Sequence, residues 1–178
     1  NIGFTNVLRV AGKTAGALTL LGDIGKGALA VMVARLVLGS AMSEWVLAAA
    51  AAVILGHVFS IFLQFHGGKG VATAVGAWLA IDLIIGVALI CIWLTSLALG
   101  RRSSLAAITA FGCLPILVWL QHPRPIMLAF AIGVTAMIVS NAAPVVVPEQ
   151  EVQATLAQAT PGTPATPAAT TPATPAAT

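Results

Sequence analysis

Apolar residues run along this chain in six blocks, at roughly 17–40, 46–63, 71–81, 84–99, 105–120 and 126–140, with a few polar or small residues between them. The blocks lack the apolar/polar alternation of barrel strands, and lipid admits only helices or closed barrels as spanning structures. The pattern therefore predicts an all-α, polytopic helical membrane bundle. The third block is an exception. At 1.5 Å per residue it reaches about 16 Å across a hydrocarbon core of roughly 30 Å. It predicts a half-helix, or a tilted pair if it continues through Asp82 into the fourth block.

The few polar positions set an orientation. If the third and fourth blocks together make one return trip, Arg9, Lys13, Lys69, Arg101 and Arg102 fall on one side, and Glu44, Asp82 and the single cation Arg124 on the other. Basic loops stay on the cytoplasmic side. The cation-rich side is thus expected to face the cytoplasm, with Trp45 and Trp119 near the opposite interface. From about Ala142 the composition changes to Pro, Ala and Thr, which cannot build a core. We therefore expect a membrane domain over 1–141 and a disordered tail over 142–178.

Composition agrees with the pattern: 59% of residues are hydrophobic and 7% charged, where a soluble domain carries about 25% charged residues. The formal net charge is +3, but no dense basic stripe with interleaved aromatics argues for nucleic acid. An anionic lipid or phosphorylated metabolite is the expected partner class. Cys91 and Cys113 lie inside apolar blocks and are expected to be small packing residues. No metal-ligand cluster or coenzyme motif stands out, so no cofactor is expected.

Candidate chemistry gathers at a few places. His66-Gly67-Gly68-Lys69-Gly70-Val71-Ala72-Thr73 places three glycines and a lysine between apolar blocks. Glycines let backbone N–H groups approach an anion, a helix starting near Val71 aims its positive dipole end at it, and Lys69 adds a full charge. It is not a nucleotide-binding Walker loop: Leu63 stands where that pattern needs glycine, and Gly70 where it needs Ser or Thr. Thr5 and Arg9 would share a helical face and suit a phosphate oxygen, or Thr5 or Asn6 would serve as a helix cap. In Gly22-Asp23-Ile24-Gly25-Lys26-Gly27 the charges are spaced to pair, while the glycines would admit a ligand or a neighbouring helix. His57 is a candidate buried base or a hydrogen-bonded packing residue. Arg35 is expected to snorkel to an interface. Arg101-Arg102-Ser103-Ser104 opens the fifth block with two cations and two hydroxyls, which would serve as a helix cap and positive-inside anchor or would bring Ser104 to a site on the Lys69 side.

Taken in order, these motifs resemble those of the bacterial acylphosphate:glycerol-3-phosphate acyltransferases of the PlsY type, over roughly residues 1–140. Asn1, Gly3, Thr5, Asn6 and Arg9 match the family's first motif. Asp23, Lys26 and Gly27 match its Asp-x-x-Lys-Gly element, and Gly56, His57 and Phe59 its Gly-His-x-Phe. Gly67 to Thr73 match Gly-Gly-Lys-Gly-Val-Ala-Thr, and Arg101 to Ser104 match Arg-x-x-Ser. Two departures stand out. The Gly-Ser before Asn1 and the family's first helix are missing, and Ser140-Asn141-Ala142-Ala143-Pro144 stands where the family has His-Arg-x-Asn.

The resemblance implies a monomeric enzyme of the bacterial inner membrane. It would move a fatty acyl group from acyl phosphate to the sn-1 hydroxyl of glycerol 3-phosphate, giving lysophosphatidic acid. Thr5, Asn6, Arg9, Ser104 and His57 would then act in catalysis. Lys26, Gly67, Gly68, Lys69, Gly70 and Asp23 would form the phosphate site. An anion transporter or an inactive membrane fragment are the alternatives.

Overall fold

The computed structural model describes the backbone of residues 4–39, 43–65 and 67–142, with side chains except at positions 4–6 and 9. Six α-helices follow in order: α1 (Phe4–Leu38), α2 (Glu44–Val58), α3 (Val71–Ile81), α4 (Leu83–Gly100), α5 (Ser103–Gln121) and α6 (Pro125–Ala142). Among the described residues, five segments are long and apolar enough to cross a membrane: Val10–Leu38 of α1, Glu44–Leu63 (α2 together with the 3-10 turn that follows it), α4, α5 and α6. The tail expected over 142–178 lies, from 143 onward, outside the described residues.

The helices agree with the apolar blocks and differ at their ends. Helix α1 starts well before residue 17 and breaks at Gly12, whose φ of 86° and ψ of −179° no helix holds. The second block ends in two pieces, α2 and a 3-10 turn at Ile61–Leu63. Beyond it the chain reverses through left-handed backbone at Gln64 and Phe65, φ 50° and 64°.

Asp82 makes α3 short. Its backbone is extended (φ −146°, ψ 114°), so it ends α3, and its carboxylate accepts from the Ile85 amide at 2.9 Å, so it caps α4. A side-chain acceptor satisfies one of the orphan amides of a helix start. Its second oxygen lies 2.7 Å from His122 Nε2 at the end of α5. Both α3 and α4 begin or end at Asp82, and α3 is the shorter by seven residues. At 1.5 Å per residue its far end reaches about 10 Å less far than that of α4. The loop before α3 is thereby recessed.

Lipid supplies no hydrophobic drive between helices, so close van der Waals contact and satisfied backbone groups must hold the bundle. The closest contact joins α1 to α3. A Cβ added at Gly27 would overlap the Thr73 carbonyl, and one at Gly76 would overlap the Ile24 carbonyl. Each helix thus contributes a glycine where the other's backbone passes. Arg35 donates to the Ala80 carbonyl at 2.7 Å, an end-of-helix acceptor with no partner inside α3, and does not simply snorkel. Pro115 inside α5 lacks the N–H that would bond the Phe111 carbonyl four residues earlier. Thr135 of α6 donates to that carbonyl at 2.8 Å. Trp78 of α3 is fully buried and packs on Phe130 of α6, ring centres 5.5 Å apart.

Two outcomes follow. Gly27→Leu forces α1 off α3, and overpacking of this kind costs about 1–3 kcal/mol or more. The detergent-solubilised variant should melt several degrees below the unaltered chain, and an equal melting temperature would contradict the contact. The second concerns Asp82. Desolvation works to raise its carboxyl, but the Ile85 amide, the His122 ring and the Ile84 amide outweigh it, holding the group below the usual carboxylate range. A depressed folded value means stability that is present above the unfolded value of about 3.9 and lost as pH falls through the folded one. The melting-temperature advantage over Asp82→Asn should therefore be full at pH 6 and shrink below about pH 4. A constant gap would refute it.

Candidate active site

Four elements bring polar groups to the recessed end of α3. The loop itself is folded back along the end of α2: the Gly67 amide donates to the Val58 carbonyl at 3.0 Å and the Gly68 amide to the His57 carbonyl at 3.3 Å. Such an approach needs bare backbone, since a Cβ at Gly67 would overlap the His57 carbonyl and one at Gly68 the His57 ring. Gly70 caps α3 with φ 82°, a conformation glycine adopts freely, and offers no side-chain acceptor to the first amides of the helix. Those amides and the dipole make an anion-attracting end.

Lys69 stands beside it. Its ammonium donates to Ser104 Oγ at 2.5 Å, bringing the start of α5 to the loop. Ser104 is therefore not the cap of α5; Arg102 holds that position without a side-chain bond. Among the described residues Lys69 forms no ion pair. It is half-buried, whereas Lys13, Arg101, Arg102 and Arg124 are exposed. A half-buried charge is held only at a cost unless something compensates it.

A second cluster lies on the other side of Gly68. Lys26 Nζ is 2.6 Å from Asp23 Oδ1 and 2.5 Å from His57 Nδ1, and Asp23 Oδ1 is 3.5 Å from the same ring nitrogen. The i,i+3 spacing on α1 makes the first contact local. The second joins α1 to α2. The glycines around the pair divide by role: Gly27 admits the α3 backbone, while Gly22 and Gly25 have nothing within 4 Å.

Residues 1–145 match the family described as glycerol-3-phosphate acyltransferase. The chain belongs to that family. It is 40% identical over 139 residues to the glycerol-3-phosphate acyltransferase of Geotalea daltonii, covering 78% of this chain and 71% of that protein. To the enzyme of the same name from Jannaschia sp. it is 49% identical over 116 residues, 65% of this chain and 56% of the relative. Two crystal structures of PlsY (YgiH), an integral membrane glycerol 3-phosphate acyltransferase, share the fold with a TM-score of 0.75 at 30% identity. One is the glycerol 3-phosphate form, with 89% of this chain and 76% of that one covered. The other is the lysophosphatidic acid form, with 89% and 77% covered.

Among this family member's expected site residues, Gly67, Gly68, Lys69, Gly70 and Ser104 come together directly, and Asp23, Lys26 and His57 form the adjoining cluster. Thr5, Asn6 and Arg9 lie within α1, but their side chains are outside the described ones. Thr73 received no separate role from sequence. Its hydroxyl is fully buried and has no hydrogen-bond partner among the described residues, as does the indole nitrogen of Trp78.

Proposed function

We propose that this chain, acting as a monomer at the cytoplasmic face of a bacterial inner membrane, transfers a fatty acyl group from acyl phosphate to the sn-1 hydroxyl of glycerol 3-phosphate. The observation that carries the reading is Lys69: a half-buried cation at a recessed, glycine-lined helix start, held by a neutral hydroxyl and lacking an ionic partner among the described residues. A phosphate supplies the missing negative charge. The family membership and the glycerol 3-phosphate and lysophosphatidic acid forms of PlsY support the choice of substrate.

In this reading Lys69 and the first amides of α3 hold the phosphate of glycerol 3-phosphate and Arg9 assists, with Gly67, Gly68 and Gly70 keeping side chains out of the way, since the Gly67 and Gly68 amides already donate to the Val58 and His57 carbonyls. Thr5, Asn6 and Ser104 orient substrate oxygens. The acyl chain lies among the apolar helices while its phosphate stays at the polar end. The sn-1 oxygen attacks the acyl carbonyl, the new ester C–O bond forms and the carbonyl-to-phosphate C–O bond breaks. Inorganic phosphate leaves, and the hydroxyl proton passes to a substrate phosphate oxygen. Charge grows on the carbonyl oxygen during attack, where fixed donors are worth about 2.7–4 kcal/mol each in other acyl-transfer sites.

The test reconstitutes the purified full chain in vesicles with radiolabelled glycerol 3-phosphate and palmitoyl phosphate. Labelled lysophosphatidic acid is expected. Uptake of label without acyl donor would instead mark a transporter, and neither product nor uptake would overturn the proposal. Lys69→Ala should raise KM for glycerol 3-phosphate at least about tenfold, the loss expected for a hydrogen bond to a charged group. Unchanged kinetics in a folded Lys69→Ala protein would remove Lys69 from the site.

A further inference from the structure

Two connections meet at the end of the bundle where Lys69 bonds Ser104, and they differ in kind. The one between α4 and α5 is charged, with Arg101 and Arg102 both exposed. The one between α2 and α3 is apolar: from Glu44 to Lys69 the sequence has no intervening Asp, Glu, Lys or Arg. Residues 61–65 are all exposed, and Ile61, Phe62, Leu63 and Phe65 among them are large and apolar. Phe62 is 97% exposed, and Phe59 just before the turn 50%. None of these side chains belongs to the core, whereas Gly67, Gly68 and Gly70 directly after them are buried.

The backbone of this turn is closed on itself. The Ser60 carbonyl accepts from the Leu63 amide at 3.1 Å and from the Phe65 amide at 2.8 Å, and the Ile61 carbonyl from the Gln64 amide at 3.2 Å. Both ends are tied to α2, the Phe59 amide to the Leu55 carbonyl at 2.7 Å and the Gly67 amide to the Val58 carbonyl. A turn in water has no need to satisfy its amides internally, and one beside hydrocarbon does. Phe65 holds left-handed backbone, φ 64°, where a bulky residue is an outlier and glycine fits freely. Such backbone gathers where function needs it, and here it carries an aromatic side chain that is 64% exposed.

Length says what covers this surface. Helix α2 has 15 residues, about 22 Å, against a hydrocarbon core of roughly 30 Å. By itself it falls short. With the 3-10 turn Ile61–Leu63 it becomes the 20-residue apolar span Glu44–Leu63, about 30 Å at the rise of an α-helix. The turn supplies the depth that α2 lacks, and the apolar surface runs from helix into turn without a charge.

We propose that the turn at residues 59–65 binds the lipid leaflet on the Lys69 side, its aromatic side chains seated among acyl chains just beneath the headgroups. Continuity with the α2 span selects lipid over a second copy of the chain. Apolar side chains at such a boundary sit about 5–10 Å deep. Because Gly67 and Gly68 bond to the last carbonyls of α2, the depth of the turn sets the depth of the glycine loop, and with it the level at which Lys69 meets an anion. The inference goes beyond the acyl transfer proposed above and does not depend on it.

The full chain in nanodiscs tests this, with a fluorescent amino acid incorporated in place of Phe62 in one sample and of Arg102 in another, both exposed positions. Phospholipid brominated near the top of its acyl chains quenches from within the leaflet, and iodide quenches from water. At position 62 emission should fall severalfold more with brominated lipid than with iodide, and at position 102 the order should reverse. Stronger quenching of position 62 by iodide than by brominated lipid would place the turn in water and overturn the proposal. Quenching at 62 by neither agent would show the turn covered by protein and would overturn it as well. Emission is read without turnover, so a chain that makes no lysophosphatidic acid defeats the proposed activity while the quenching still decides this inference.

Discussion

Everything at the polar end depends on the backbone contact between α1 and α3. Gly27 faces the Thr73 carbonyl and Gly76 faces the Ile24 carbonyl, so the two helices approach as closely as backbone allows. In lipid the gain comes from van der Waals contact, which rises steeply as side chains are removed from the interface. The contact also fixes the rotation of α1 about its axis. Asp23 and Lys26 sit within four residues of Gly27, so once Gly27 faces α3 they turn toward the end of α2. A larger residue at either glycine would shift both charges relative to His57.

The length of α3 is the second constraint, and it is set from the opposite end. Asp82 cannot be helical and also cap α4, so α3 stops after eleven residues. The missing turns appear at the other end as the recess occupied by Gly67 to Gly70. His122 and Arg35 support that arrangement, one by binding the Asp82 carboxylate, the other by satisfying the Ala80 carbonyl near the end of α3. A helix shorter than its neighbour α4 thus carries its positive end back from the end of the longer helix, beside half-buried Lys69.

Much of this was legible in sequence because lipid leaves few choices. Backbone satisfaction forces helices, so six apolar blocks became six helices, and the eleven-residue third block became α3 with the ends expected for it. The glycine loop and Lys69 were legible for the same reason, since such residues between apolar runs have few uses. The Asp23–Lys26 contact followed from spacing. The contacts that make the site were not legible. Lys26 meets His57 across 31 residues and Lys69 meets Ser104 across 35. Helices that are apolar on every face carry no stripe to say which side turns inward. Rotation is then decided by Gly27, Gly76 and the Pro115–Thr135 repair, whose pairing no local pattern encodes.

Charge compensation separates the structural groups from the functional ones. Asp23 and Lys26 neutralise each other beside His57, Asp82 meets His122, and Arg35 finds a carbonyl at the end of α3. Each arrangement is complete within the protein and lowers the cost of polar groups near hydrocarbon. Lys69 breaks the pattern. Its partner Ser104 accepts a hydrogen bond but contributes no charge, and the dipole of α3 adds to the positive field in place of reducing it. A fold that pairs its other half-buried charges and gives this one no ionic partner among the described residues, against a loop from which side chains are excluded, has built a deficit of one kind. In the reading proposed above, a phosphate monoester meets that deficit, with oxygens to spare for the first amides of α3.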